Sequence, residues 1–179
     1  MLLTGLLPDI TTDPAIETAI DSVEAGRSGT IVAPVGIRPP LLAAVASRAA
    51  TPLVVLTATG RDAESLTNAL ASWIPGVAML PAWETLPHER LSPQVDTMAR
   101  RIAVLRRLVH PIKGDDSAGP MSVLVVPIRA FLQPIISGLA DLEPVRVRTG
   151  DILDLTETTN RLAELGYERV DMVEGRGQM

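Results

Sequence analysis

The stretch T-I-V-A-P-V-G-I-R-P-P-L-L-A-A-V-A, residues 30–46, decides the fold. It reads as a short β-branched run, a turn around Gly36, and an alanine- and leucine-rich segment that predicts a helix over residues 39–50. Strand, glycine-containing turn and helix in that order form the frame in which a P-loop cradles phosphate. The pattern then repeats. Residues 52–57 are a β-branched run bounded by turn residues, which predicts a strand. Thr59 stands where a cap would open a helix over residues 61–73, and residues 77–80 predict a further short strand. Residues 94–109 predict a strong helix, with Met98, Ile102, Leu105 and Leu108 on one face. A buried strand over residues 122–126 and a short helix over residues 128–132 follow. Upstream, Asp13-Pro14 supplies an N-cap and a first helical proline, and Gly26 ends that helix. Strands alternating with helices imply an α/β fold, a mostly parallel sheet with helices on both faces.

The turn itself lacks phosphate chemistry. A working P-loop needs glycines for close backbone approach, a lysine for the terminal phosphates and a hydroxyl for magnesium. Here Gly36 is the surviving glycine, and Arg38, Pro39 and Pro40 stand where Gly-Lys-Thr would be. Proline has no N–H to donate. The segment is read as a degenerate P-loop, with no cofactor expected in it.

Composition narrows the function further. A net charge of -5 argues against a protein that coats nucleic acid, because phosphate neutralisation needs a basic surface. Trp73, Trp83, Phe131 and Tyr167 are the four aromatic residues, too few for a base-stacking platform. The absence of cysteine excludes disulfides and thiolate metal sites, and His88 and His110 alone make an imidazole site improbable, so no metal is expected. No apolar run is long enough to span a membrane, and residues 1–9 lack the basic start of a signal peptide; a cytoplasmic protein is expected.

No catalytic set emerges. Glu84 with Glu89, and Asp115 with Asp116, lack an orienting partner, and His88 with Ser92 lacks a nucleophile elbow. Arg100, Arg101, Arg106 and Arg107 look basic, yet at about 100° per residue they do not share one helix face. Arg101 points towards the apolar stripe, so a carboxylate partner or an outward-reaching side chain is expected for it. Trp83, in a proline-braced loop, either pins that loop to the core or serves a partner.

After about residue 142 the texture changes. Residues 145–148 and 167–173 alternate as half-exposed strands, and residues 156–165 form an amphipathic helix ended by Gly166. The expected division is an α/β domain over residues 1–127 and the incomplete start of a smaller α+β domain over residues 128–179. Gly175-Arg176-Gly177 predicts a turn whose hairpin partner would follow Met179, so the chain is expected to be truncated relative to a complete domain.

PAWETLPHERLSPQVDTMARRIAVLRRL, residues 81–108, resembles the N-terminal region of bacterial transcription-repair coupling factors (Mfd), as do VLVVPIRAFLQPI, residues 123–135, and GYERVDMVEGRGQ, residues 166–178. The resemblance covers roughly residues 28–178. It implies a module similar to UvrB, the damage-recognition component of the nucleotide excision nuclease, with a decayed P-loop and without the aromatic damage-probing hairpin. It further implies a multidomain parent that displaces stalled RNA polymerase from damaged DNA with ATP and recruits the excision-repair protein UvrA. The motor, with its ATP and magnesium, would lie downstream. This segment would be a catalytically inert protein-interaction module with no small-molecule substrate. The arginine that contacts UvrA in the family falls just after Met179, which leaves Arg169 and Arg176 as neighbouring candidates beside Trp83. The alternatives are a DNA-backbone-binding accessory domain, drawing on Arg100, Arg106 and Arg107, or a degenerate nucleotide-binding domain.

Overall fold

A computed structural model describes residues 2–85, 94–115, 117–175 and 177–179. A short helix α1 (Leu7–Thr11) leads to α2 (Pro14–Glu24), which the Asp13 carboxylate caps by accepting from the N–H groups of Ala15 and Ile16. Gly26 then turns the chain at φ 66°, a conformation that side chains with a Cβ resist. A single 3-10 turn, Val35–Ile37, opens α3 (Arg38–Arg48), and β1 (Leu53–Thr57) follows. Thr59 caps α4 (Gly60–Leu70) by accepting from the Asp62 N–H, and β2 (Val77–Met79) comes next. The second half holds α5 (Val95–Val109), β3 (Val123–Pro127), α6 (Ile128–Phe131) and α7 (Leu155–Glu164).

The strands form one parallel sheet in the order β1-β3-β2. Gly76, at φ 74°, enters β2 so closely that its carbonyl accepts from Ser122 and Val123; a Cβ there would stand 3.0 Å from the Ser122 nitrogen. One sheet face is closed by α1, α3 and α4, where Leu7, Ala43, Ala46, Ala63 and Leu70 pack on Val123 and Val125. Small residues on α3 let it approach closely, and a second layer forms where Ile20 of α2 meets Ala44 and Val45. The other face carries α5 and α6, where Val104 and Ala130 meet Ala78, Leu124 and Val126. The sheet is thus the expected α/β arrangement with helices on both faces.

Three expected strands differ. Residues 30–35 lack ladder partners among the described residues and, apart from the half-buried Ala33, are exposed, Val32 at 95%. A strand exists through its neighbour's hydrogen bonds, and these residues have none. Residues 145–148 are irregular for the same reason. Residues 167–173 contribute one parallel bridge, Glu168 to Gln178, closed by bonds from Glu168 N to Gly177 O and from Met179 N to Glu168 O. The chain's last described residues therefore pair back on this segment. Residues 141 and 142 lie against α5 and its C-terminal end: the Arg106 guanidinium donates to the Leu142 carbonyl at 3.1 Å, and His110 Nε2 lies 2.7 Å from the Asp141 carboxylate.

Candidate functional site

The most densely tied surface feature is the loop after β2. Leu80 extends the ladder by donating to Val125 O at 3.0 Å, and the chain then leaves the sheet. Gln133, just after α6, grips Trp83 through both its backbone N–H and its carbonyl. Its Oε1 accepts from the Trp83 N–H at 2.8 Å and its Nε2 donates to the Trp83 carbonyl at 3.3 Å. Arg129 donates to the Glu84 carbonyl, and the Thr97 hydroxyl donates to the Glu84 carboxylate. That hydroxyl, first among the causes, holds the Glu84 carboxyl below its ordinary range, against partial burial. Side chains of α5, of α6 and of Gln133 just after it thus hold residues 81–84.

Arg101 is the centre of this brace. It is 1% exposed, and its guanidinium sits 4.4 Å from the centroid of the Trp83 ring while donating to the Pro81 carbonyl at 2.6 Å. Among the described residues its Nε has no hydrogen-bond partner, and burial pulls its pKa down. The expected carboxylate partner or outward reach is therefore replaced by an aromatic face and a backbone carbonyl. A planar guanidinium tolerates this because it is weakly hydrated and stacks on rings. Trp83 is half-buried, its ring engaged with Arg101. His88, Glu89 and Ser92 lie outside the described residues, as does Asp116.

The other arginines of α5 are tied within the chain. Arg100 pairs with Asp96 at 2.7 Å, Arg107 donates to the Gly119 carbonyl at 2.9 Å, and Arg106 reaches Leu142 and, at 3.7 Å, Glu143. Arg106 and Arg107 thus spend donors that a phosphate backbone would need.

At the turn over residues 35–40, Arg38 is the first residue of α3 and Pro39 and Pro40 fill its first turn. A helix N-terminus binds anions through its free N–H groups; two of those positions carry proline, which has none. Gly36 lies in open space, with nothing within 4 Å of where a Cβ would be. Among the described residues no cluster of three or more acidic or histidine side chains could hold a metal, and no helix is long and apolar enough to cross a membrane.

Of the other candidate positions, Arg169 is exposed on the segment that bridges to residues 177–179, and Arg176 lies outside the described residues. The structure therefore does not bring Trp83 and Arg169 into one described cluster. Sequence reasoning missed Gln133, because a lone glutamine in an apolar run carries no signal of a backbone clamp. It also missed an apolar ridge after β3: Ile128, Phe131, Leu132, Ile135 and Ile136 are all exposed, Ile136 at 78%.

No family model matches the chain. It is 46% identical over 152 residues to transcription-repair-coupling factors of Mycobacterium bovis and Mycobacterium tuberculosis, an alignment covering 83% of this chain. The corresponding protein of Escherichia coli is 26% identical over 140 residues, or 77% of the chain. The chain spans about 12% of the length of these curated relatives.

Proposed function

We infer that this chain, related in sequence to the transcription-repair coupling factors, is a non-catalytic protein-interaction module of such a factor. The observation that carries the reading is 46% identity over 83% of the chain to two proteins of that name. In this reading the intact factor uses ATP and magnesium in a motor elsewhere to displace stalled RNA polymerase from damaged DNA. The present module recruits UvrA and handles no nucleotide.

Two local features support the inert role. Pro39 and Pro40 remove N–H donors from the first turn of α3. The bracing of Trp83 by Arg101 and Gln133 makes that loop a scaffold element, since its polar groups are already engaged. Contact with UvrA then falls to the exposed Arg169 and its neighbour Arg176. The engagement of Arg106 and Arg107 with backbone carbonyls counts against the DNA-backbone alternative.

Calorimetric titration of UvrA into this chain tests the proposal. We expect saturable binding that Arg169→Ala weakens by roughly tenfold, about 1.4 kcal/mol, and no heat on titration with ATP and magnesium. A chain that melts cooperatively yet shows no heat with UvrA would remove the recruitment role. Saturable heat with ATP would restore a nucleotide site.

A further inference from the structure

β1 stands at one end of the sheet order, paired to β3 on one side only. The Leu53 N–H donates inward, to the Ser122 carbonyl at 2.9 Å. Backbone groups alternate along a strand, so the N–H and C=O groups of Val54 and Leu56 point to the outer edge. Among the described residues no strand pairs with them. Native proteins blunt such an edge with charge, proline or a covering segment. Residues 49–60 carry no charge, and the strand holds no proline.

Apolar surfaces adjoin this edge along its length. Val54 and Leu56 are the register partners of Leu124 and Val126 and share their sheet face. Leu124 and Val126 are buried there, whereas Val54 and Leu56 are 52% and 47% exposed. At the C-terminal end of β1, α6 follows directly on Pro127, the partner of Thr57. It begins the exposed ridge of Phe131, Leu132, Ile135 and Ile136, and residues 130–140 carry no charge. At the N-terminal end of β1 a cleft of about 300 Å³ opens beside the ends of α3 and α5, walled by Ala49, Pro52, Leu108, Pro111 and Pro120.

The outer edge of β1 is complementary to itself. When a second copy is set antiparallel about a two-fold axis at Val55, Val54 of each copy faces Leu56 of the other. Both are then hydrogen-bonded pairs that exchange their N–H and C=O groups, so the outward groups of these residues are all satisfied. Their side chains lie on one face and form two apolar cross-strand pairs. The same axis sets the ridge-bearing end of each β1 beside the cleft-bearing end of the other. A standard interface takes about 800 Å² from each partner, more than the edge of a five-residue strand supplies. The exposed face, ridge and cleft add apolar area on both sides of the axis, and neither uncharged stretch sets a charge against its own copy.

We propose that the outer edge of β1 is the interface of a homodimer, in which β1 pairs antiparallel with β1 of a second copy in the register Val54 to Leu56. The two sheets become one continuous sheet, and the contact closes on itself because both copies use the same surface.

Sedimentation of the full 179-residue chain over a concentration series tests this. The weight-average mass should rise from 19.0 kDa and stop at twice that value. Val54→Lys should raise the dissociation constant by roughly tenfold or more. Adding Leu56→Glu to that variant should restore association, because the register sets the two positions opposite each other. The chain has no cysteine, so Val55→Cys places a lone thiol at the axis. Opposed Cα atoms stand about 4.5 Å apart there, within disulfide reach, and mild oxidation should give a covalent dimer. Unmodified chain that stays at the monomer mass at every concentration overturns the proposal. So does a dimer that Val54→Lys leaves intact, or that oxidised Val55→Cys fails to trap. Growth beyond the dimer also overturns it, since that marks open-ended stacking of unlike sheet edges. If Val54→Lys does not melt cooperatively, sedimentation of the unmodified chain and the thiol trap still decide the matter.

Discussion

β1 and β3 are built from nearly the same residues, Leu-Val-Val-Leu-Thr and Val-Leu-Val-Val-Pro, and run parallel in register. Every residue of β3 is buried, whereas β1 alternates between half-buried and exposed. Composition cannot account for the difference; position does. β3 has a strand on each side and helices on both faces. β1 has one strand neighbour and one covered face. An apolar run thus reports that a segment can be buried, while neighbours decide how much of it is.

Substituting aspartate at matched positions puts the largest stress on this comparison. Val125→Asp places an unpaired charge between two packed layers and should cost about 4 kcal/mol or more, enough to unfold the chain. Val54→Asp, half-exposed, should cost about 1 kcal/mol or less. Urea denaturation of the two variants measures both, and equal costs would mean that the outer face of β1 is covered in solution.

The brace over the second face comes next in size. Arg101→Ala removes both the stack on Trp83 and the stem packing and should cost about 2–3 kcal/mol. Arg101→Met keeps the stem and avoids a buried Nε without a partner, so it should cost about 1 kcal/mol or stabilise. A methionine variant as unstable as the alanine variant would show that the cation over the ring is what holds residues 81–84.

Thr59→Ala, which removes the cap after β1, should cost about 1 kcal/mol by thermal or urea melting. A negligible cost would indicate that packing of α4 alone sets where that helix begins.

The smallest effect is a pH dependence. The Thr97 hydroxyl holds the Glu84 carboxyl below its ordinary value of 4.5. A lowered carboxyl pKa contributes stability that is present above the unfolded value and is lost as pH falls through the folded one. The stability gap between the unmodified chain and Thr97→Val should therefore be constant near neutrality and narrow below about pH 4.5. A gap that ignores pH would assign the whole effect of Thr97 to packing.

Much of the fold was legible because it rests on local chemistry. Asp13 and Thr59 cap helices by accepting neighbouring N–H groups, which a sequence displays directly. The apolar runs at residues 52–57 and 122–126 had the length and branching of parallel strands. Residues 30–35 show the limit of that reasoning. Their pattern is that of a strand, yet pairing is a property of two segments, and β1's outer edge is unpaired in the described arrangement. The brace was legible in part. Arg101 on the apolar stripe announced an unusual arginine, but the ring of Trp83 and the carbonyl of Pro81 come from a distant turn. Gln133 could not be foreseen, because its two bonds exist only once α6 brings it to Trp83.

The sequence by itself determined the alternation of helices and strands, the helix starts, the prolines that take N–H donors from the turn at residues 36–40, and the relationship to coupling factors. Each depends on residues close together in the chain or on their identities alone. Tertiary structure decided that β3 is central and β1 lies at the edge, that Arg101 is buried against Trp83, and that Arg106 and Arg107 of α5 donate to backbone carbonyls. Those outcomes depend on which distant groups become neighbours, and burial and pairing energies arise only after the chain has brought them together.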